Sequence, residues 1–436
     1  GGRADEALYM IDGQSIKDPL SGYTNTIYVN AAAISELKVI TGGFDAEYGQ
    51  AMSGVVDIET KEGDDFYTGS LSMKSDNWLS GMVQSFNTDI VQFNVGGPEP
   101  ISSYLLKDII PGEVTAFVSG YGHLTDTYLP HAQKLYPANE AFESLAQRQE
   151  NDWHMMGKLA WRMSPGQKLT ISYDNSVNIN QGYFLPRIDG GRGYPYEYEK
   201  MLDNYNTITK EASLFSTQWT HTLSPRTFYK LSLSRFNSGL HSAVQDKDYS
   251  DYNQRLDLAP VNYVPDSRGN IQTRFGDGFW DTGDAENWYD YSSSNWTLKG
   301  DVTSQPNEKH SIKGGFESRY TEMQVIDINA PWFGESGLGR NHDYYGVYPN
   351  DGSMYIQDRI TYDGMIVNIG LRYDYWFPGK FVDDAVMNPE TVTLTDEARD
   401  KYLDDTFKVF GLRGKGHLSP RLGISHPVTD NDMLYL

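Results

Sequence analysis

The chain contains no cysteine in its 436 residues, so it has no disulfide framework, no thiolate metal site and no thiol nucleophile, and its redox compartment stays open. It also lacks any run of roughly 18 or more apolar residues, which excludes a transmembrane helix. A membrane barrel is untouched by that absence, because its strands alternate lipid-facing and lumen-facing side chains and so conceal their oiliness. Basic residues are in deficit: 36 Lys and Arg stand against 59 Asp and Glu, a formal charge of −23. Such a chain repels phosphate backbones, which argues against nucleic acid as a partner. Most of the acids fall in candidate loops. A solvated surface is their ordinary explanation, and cation bridges to lipopolysaccharide phosphates are the alternative.

Catalytic patterns are missing as well. The nine histidines are dispersed, with no H-E-x-x-H pair and no G-x-S-x-G elbow. Asp277, Asp281, Asp284 and Glu286 crowd together without the D-x-[DN]-x-[DN]-G spacing of a calcium loop. The expectation is a protein that is not an enzyme, with no catalytic residue, no cofactor and no metal. A hydrolase whose residues converge from distant strands is the alternative that such patterns do not reach.

What the chain does have is an even-odd rhythm. Leu159, Trp161 and Met163 alternate with Lys158, Ala160 and Arg162, and Ile312, Phe316 and Tyr320 alternate with Lys313, Glu317 and Arg319. The same period of two places Leu169, Ile171 and Tyr173, then Tyr229, Leu231 and Leu233, then Trp296, Leu298 and Val302, then Val367, Ile369, Leu371 and Tyr373 on one face each. About ten such residues, tilted by about 40°, rise roughly 25 Å, the height of the apolar band of an outer membrane. Ser164 to Gln167, Ser224-Pro225, Pro306 to Glu308, Tyr362 to Gly364 and Thr429 to Asp432 read as tight turns. Each is followed by a strand and then a long loop, at about 181–209, 240–289, 323–351 and 377–417, the short-and-long alternation of such barrels. Short surface helices are expected at Asn139 to Arg148 and Thr395 to Leu403. Trp161, Trp219, Trp296, Tyr375 and Trp376 stand near strand ends, where amphipathic rings settle at a membrane interface.

Residues 1–63 read differently. Leu8 to Ile11 and Leu37 to Ile40 are short strands, and Asn30 and Asp45 are caps for two very short helices. Gly42, Gly43, Gly49 and Gly54 mark positions that need positive φ or close backbone approach.

The runs Met10-Ile11-Asp12-Gly13, Ile34-Ser35-Glu36-Leu37-Lys38-Val39, Gly42-Gly43-Phe44-Asp45-Ala46-Glu47-Tyr48-Gly49 and Gly54-Val55-Val56-Asp57-Ile58 together resemble the second half of a TonB-dependent receptor plug. Gly96-Gly97-Pro98, Gly370-Leu371-Arg372-Tyr373-Asp374 and Leu418-Ser419-Pro420-Arg421-Leu422-Gly423 are similar to barrel motifs of the Oar-like branch of that family, whose members often carry a carboxypeptidase-regulatory-like domain ahead of the plug. The resemblance implies a mainly β protein of the outer membrane of a Gram-negative-type bacterium. Residues 1–63 would be the C-terminal part of a small α+β plug, and residues 64–436 the N-terminal part of an antiparallel transmembrane β-barrel. About 12 or 13 strands of a wall of about 22 are expected, since a dozen cannot enclose a folded plug. The chain thus reads as a fragment.

The resemblance further implies a receptor that binds an unidentified ligand at the cell surface and imports it when TonB, through a segment outside this chain, pulls on the plug. Asp12, Gly13, Gly42, Gly43, Tyr48, Gly49, Gly54 and Lys61 are the plug and gating candidates. Polar plug residues such as Glu36, Lys38, Glu47 and Lys61 would meet a polar wall in a wet, separable contact. Tyr183, Arg187, Arg192, Tyr194, Tyr196, Phe279, Trp280, Trp288, Trp332, Phe333, Tyr344 and Tyr345 are loop candidates for ligand stacking, with loop self-packing as the ordinary alternative. Adhesion or surface organisation by the same loops, and a soluble all-β glycan-binding protein, are the competing functions.

Overall fold

The computed structural model describes residues 7–20, 27–40, 45–49, 53–77, 85–102, 109–126, 130–181, 196–274, 276–334, 338–362, 365–388, 394–427 and 433–435. A small sheet comes first, from β1 (Ala7–Ile11), β2 (Gln14–Ser15), β3 (Ile34–Ile40) and β4 (Gly54–Thr60). Its order is β2-β1-β4-β3, with β1 parallel to β4 and the other pairs antiparallel. Asp12 and Gly13 join β1 to β2 at φ of 50° and 76°, the left-handed values that a two-residue hairpin turn requires. Asn30 caps a 3-10 turn at Ala31–Ala33 by accepting from the Ala32 amide. The expected second helix after Asp45 is only one turn, closed by Tyr48 N–H on Asp45 O at 3.1 Å. Its cap is engaged elsewhere: Gln357 takes both the Asp45 carboxylate and the Ala46 N–H.

The second sheet has fifteen strands. It opens with β5 (Thr68–Ser75), β6 (Asp89–Pro98), β7 (Glu113–Thr125), β8 (Glu150–Ser164), β9 (Gln167–Asn180), β10 (Thr207–Ser224) and β11 (Thr227–Ala243). A separate hairpin, β12 (Asn262–Pro265) with β13 (Ile271–Arg274), interrupts the path. The sheet resumes through β14 (Asn287–Ser304), β15 (His310–Asn329), β16 (Asn341–Val347), β17 (Asn350–Tyr362) and β18 (Met365–Phe377). After α1 (Lys380–Met387) and α2 (Asp396–Asp405) it ends with β19 (Phe407–Val409), β20 (Leu412–Pro427) and β21 (Met433–Tyr435). Neighbours along the path pair antiparallel. Its end strands β5 and β19 do not pair with each other, so the described wall is an open arc.

The even-odd rhythm becomes two faces. Leu159, Ile171, Leu231, Leu298, Ile312, Ile369 and Leu371 are all exposed, while Lys158, Ser172, Ser232 and Arg372 beside them are buried. Exposed oily rows and buried polar ones are the inverse of a water-soluble sandwich, and they require lipid outside. The inner row is rich in small hydroxyls, among them Ser119, Ser172, Ser216, Ser234, Ser238 and Ser353. These satisfy one another across strands, as Ser172 and Ser216 do at 2.8 Å, and leave room for the small sheet.

Residues 7–63 touch the inner face at β7, β8, β9, β10, β11, β14, β15, β17 and β18. Laid flat, those strands would span roughly 40 Å at about 4.8 Å each, whereas a domain of this size is only about 25 Å across. The wall therefore curves around it.

Several expected boundaries shift. β14 and β15 run 18 and 20 residues, so the loops foreseen at 240–289 and 323–351 yield their flanks to strand, and β16 pairs with β15 along Met323 to Asn329. Above the apolar band these strands pack on the loop core, with Trp288, Val325 and Ile328 buried, and the hydrogen-bonded ladder continues without a lipid-facing row. The turns at 164–167, 224–225 and 306–308 stand where expected; Asp363-Gly364 and Thr429 to Asp432 lie outside the described residues. The surface helices appear as a 3-10 helix, Glu140–Leu145, and as α2. Trp376 leaves the expected aromatic belt. It shares the lumenal row with Arg372 and Asp374, opposite Asp351 in β17.

Candidate functional site

The inner domain, residues 7–63, is seated on two unlike flanks. On one, Ile11, Ile16 and Ile27 pack against Ala212, Leu214 and Phe236 of β10 and β11, and Ala33 packs against Phe117 and Met156. Lys158 of β8 adds a buried anchor, its ammonium 2.9 Å from Asp12 and 3.0 Å from the Thr60 carbonyl. Asp12 is otherwise saturated, accepting from the Thr60 amide and hydroxyl at 2.9 and 2.7 Å. Higher on this flank Asp18 accepts from Ser238 and Tyr291.

The other flank is polar. The 45–49 turn is gripped by three wall residues: Gln357 on Asp45 and Ala46, Lys313 on the Glu47 carboxylate, and Arg372 on the Ala46 and Glu47 carbonyls at 3.0 and 2.8 Å. Arg372 is itself oriented by Asp374, which accepts from Nε at 2.8 Å. Gly49 lies against the guanidinium so closely that a Cβ would stand 2.1 Å from Nη2.

Beside this grip lies a cavity of about 760 Å³, bounded by Lys17, Asp18 and Glu47 of the inner domain and by Arg319, Asp351, Arg372, Asp374, Trp376 and His417 of the wall. Its charges come in pairs, Arg319 with Glu317 at 2.8 Å and Arg372 with Asp374. Arg372 is buried and Arg319 partly buried, each beside carboxylates that are more open to the space, and Trp376 is 49% exposed. Such a lining offers oriented hydrogen bonds around one stacking ring.

The candidates from the sequence divide accordingly. Asp12, Gly13, Tyr48, Gly49 and Lys61 sit in or beside these contacts, Tyr48 against Leu8, Met10 and Val55, and Lys61 on the Ala32 carbonyl. Burial, with the Glu47 and Asp57 carboxylates nearby, pushes the Tyr48 hydroxyl up. Burial likewise raises Asp57, against the Gly13 N–H that it accepts. Gly54 does not need its glycine: a Cβ would meet Ile40 O at 3.5 Å, an ordinary contact. Among the described residues Lys38 pairs with Glu36 and with Glu59 of β4, all three exposed. Gly42 and Gly43 lie outside the described residues. Lys158, Lys313, Gln357 and Arg372 have no assigned role in the sequence, although long polar side chains at mid-strand of a lipid-facing wall, three of them charged, are the available signal.

The loop aromatics are mostly structural. Trp288 is buried with Tyr198, Ala243, Val244, Tyr252, Ala285 and Ile328, and Trp280 and Trp332 pack against that core. Arg255 lies over Trp280, and Lys200 over Phe279. Phe333 is covered by Arg340. Tyr344, 65% exposed, and Tyr345 project from β16. Tyr196 opens a 3-10 turn; Tyr183, Arg187, Arg192 and Tyr194 lie outside the described residues. Lys200 draws Asp277 and Asp281 into ion pairs at 2.8 and 2.9 Å, so these acids serve a loop clamp.

Comparison with known proteins follows the same lines. A family model described as an outer membrane beta barrel domain matches residues 67–342. The TonB-dependent transporter Oar of Myxococcus xanthus is 29% identical over 90 residues, 21% of this chain and 8% of that protein. Among solved structures, the FrpB iron transporter of Neisseria meningitidis (F3-3 variant) superposes with a TM-score of 0.59 at 11% identity, over 99% of this chain and 57% of that one. The siderophore receptor PirA of Acinetobacter baumannii gives 0.55 at 18% identity, over 99% and 52%. At these identities the likeness is one of fold, and the chain spans about half the length of the structures it matches.

Proposed function

Because the chain belongs to the outer membrane beta barrel domain family, we propose that it is part of a TonB-dependent importer, in which residues 1–63 act as the plug and residues 64–436 as wall and external loops. One observation carries this reading: a folded domain sits against the inner face of a lipid-facing wall, gripped at its 45–49 turn by polar side chains of that wall, with a cavity of about 760 Å³ beside them. A large barrel is a hole, so whatever fills it must block flow at rest and yield to cargo. Wet contacts yield at moderate cost. Ligand settles in the cavity, and force from TonB on a segment outside this chain releases the plug. The proteins that it resembles carry transporter and receptor names rather than enzyme names, and the Lys and Asp chemistry here is positional. Lipid and lipopolysaccharide surround the wall.

Uptake decides the matter. Cells expressing the whole protein should accumulate one labelled solute from a panel of ferric chelates, glycans and peptides, and lose that accumulation when TonB is deleted. A second reading, adhesion, draws on the β12–β13 hairpin, where Tyr263 and Ile271 are 71% and 72% exposed. It requires loss of cell contacts, with uptake intact, when that hairpin is removed.

A further inference from the structure

The guanidinium of Arg372 has a nitrogen left over. Its side chain is 7% exposed; Nε donates to Asp374, and Nη1 donates to the carbonyls of Ala46 and Glu47. Among the described residues nothing accepts from Nη2. Arg372 borders the cavity, and Gly49 packs against Nη2 without offering it a hydrogen bond. A buried cation with an unused donor beside an open space is a receptor for an anionic oxygen, since a charge-assisted bond there satisfies a poorly solvated N–H.

Resting on the reading of that cavity as the ligand site, we infer that Arg372 binds an anionic oxygen group of the ligand, such as a carboxylate, phosphate or phenolate, and that this binding loosens the 45–49 turn. A planar oxyanion engages a guanidinium through two parallel N–H bonds. Nε is held by Asp374, so the edge for which an anion competes with the turn is the one formed by Nη1, on its carbonyls, and Nη2, against Gly49. Using that edge takes Nη1 from two neutral carbonyls, and an anionic acceptor adds ion-pair attraction to a bond that the guanidinium already charges. The turn then keeps Gln357 and Lys313 but loses the contact that pins its Ala46 and Glu47 carbonyls. The opposite flank has no part in the exchange, because Ile11, Ile16 and Ile27 pack on β10 and β11 through apolar atoms. The inner domain therefore parts from the wall along β15 to β18 first.

Hydrogen exchange of the whole protein in detergent, at fixed ionic strength in chloride, tests this with inorganic phosphate as the probe and glucose as the uncharged control. Millimolar phosphate should speed the amides of 46–49 several-fold and leave those of 8–16 unchanged, and glucose should do neither. In Arg372→Gln the 46–49 amides should be fast from the start and indifferent to phosphate. Arg372→Lys keeps the charge without the fork, and should bind phosphate without the acceleration. No phosphate response in the native protein overturns the anion assignment, and equal acceleration at 8–16 overturns the one-sided release. A response surviving in Arg372→Gln overturns the choice of residue. Failure of the ligand-site reading shows elsewhere, in cargo uptake indifferent to Trp376→Ala whatever phosphate does at Arg372.

Discussion

Lys158 of the wall and Asp12 of the inner domain meet at 2.9 Å with their side chains 4% and 18% exposed, the deepest charge pair between the two parts among the described residues. Its position on the same flank as the apolar contacts makes that flank the fixed one. Lys158→Met should leave the Asp12 carboxylate buried without its cation, at a cost of about 3–5 kcal/mol to the seating of the inner domain. Protease sensitivity of residues 8–16 measures it. Adding Asp12→Asn should restore much of the protection; if the single variant is as resistant as the native protein, the pair is not an anchor.

The wall makes a second demand on the linker after β4. A Cβ on Gly63 would stand 2.3 Å from the Ala116 carbonyl oxygen and 2.6 Å from that of Gly97, both backbone atoms of paired strands that cannot swing aside. Gly63→Ala should lose about 1–3 kcal/mol through this overpacking, seen as faster exchange at residues 60–63. Gly54→Ala, with only an ordinary contact to meet, should be close to neutral.

Leu298 is 41% exposed, and in a water-soluble protein its replacement by lysine would be benign. Here Leu298→Lys should destabilise the folded barrel by about 2–4 kcal/mol in lipid vesicles, the penalty of a cation near the bilayer midplane. Denaturant titration in vesicles reads the difference, and an unchanged midpoint would sink the lipid assignment of that row.

Trp288 tests the split between loop core and loop surface. Trp288→Ala should cost about 3–5 kcal/mol, melting the loop that carries Tyr198 and Tyr252 and freeing the Lys247 carbonyl that its indole N–H now serves at 3.0 Å. Tyr344→Ala should leave loop protection unchanged, so any lost ligand binding in that variant belongs to contact rather than folding.

The loop clamp gives a pH dependence of definite sign. Lys200 holds the carboxyls of Asp277 and Asp281 below the usual carboxylate range, and they hold its ammonium above its own. A depressed carboxyl contributes stability above its unfolded value, about 4, and loses it as pH falls through the folded one. The clamp should therefore be closed at neutral pH and open in acid. Resonances of the Leu258 and Phe279 amides, which donate to Asp281 and Asp277, should follow that titration. In Lys200→Ala that titration should move up toward the ordinary carboxylate range, with the Phe279 and Leu258 amides still holding it below.

Which face each wall residue takes was legible in the sequence, because lipid and water impose period two directly: Leu159 out and Lys158 in, Leu371 out and Arg372 in. Strand ends were not legible, since Glu322 to Asn329 leaves the lipid and packs in part on the loop core, with Val325 and Ile328 buried, so that its oily residues no longer keep to one outward face. Arg372 appeared only within a quoted motif. Its acceptors lie more than three hundred positions away at Ala46 and Glu47, and no local pattern carries that distance. Asp45 misled for the same reason, a good helix cap whose carboxylate is taken by Gln357. Trp288 and its neighbours had the composition of a recognition surface, yet aromatic residues ordering a long loop have that composition too.

At 20 residues β15 stands about 50 Å tall when tilted by about 40°, roughly twice the thickness of the oily layer. The upper part of this strand and its neighbours thus forms a collar standing clear of the oily layer. Whatever the tips of that collar touch is met and sorted well before the bilayer, and sequence drift at those tips can proceed without disturbing how the protein inserts.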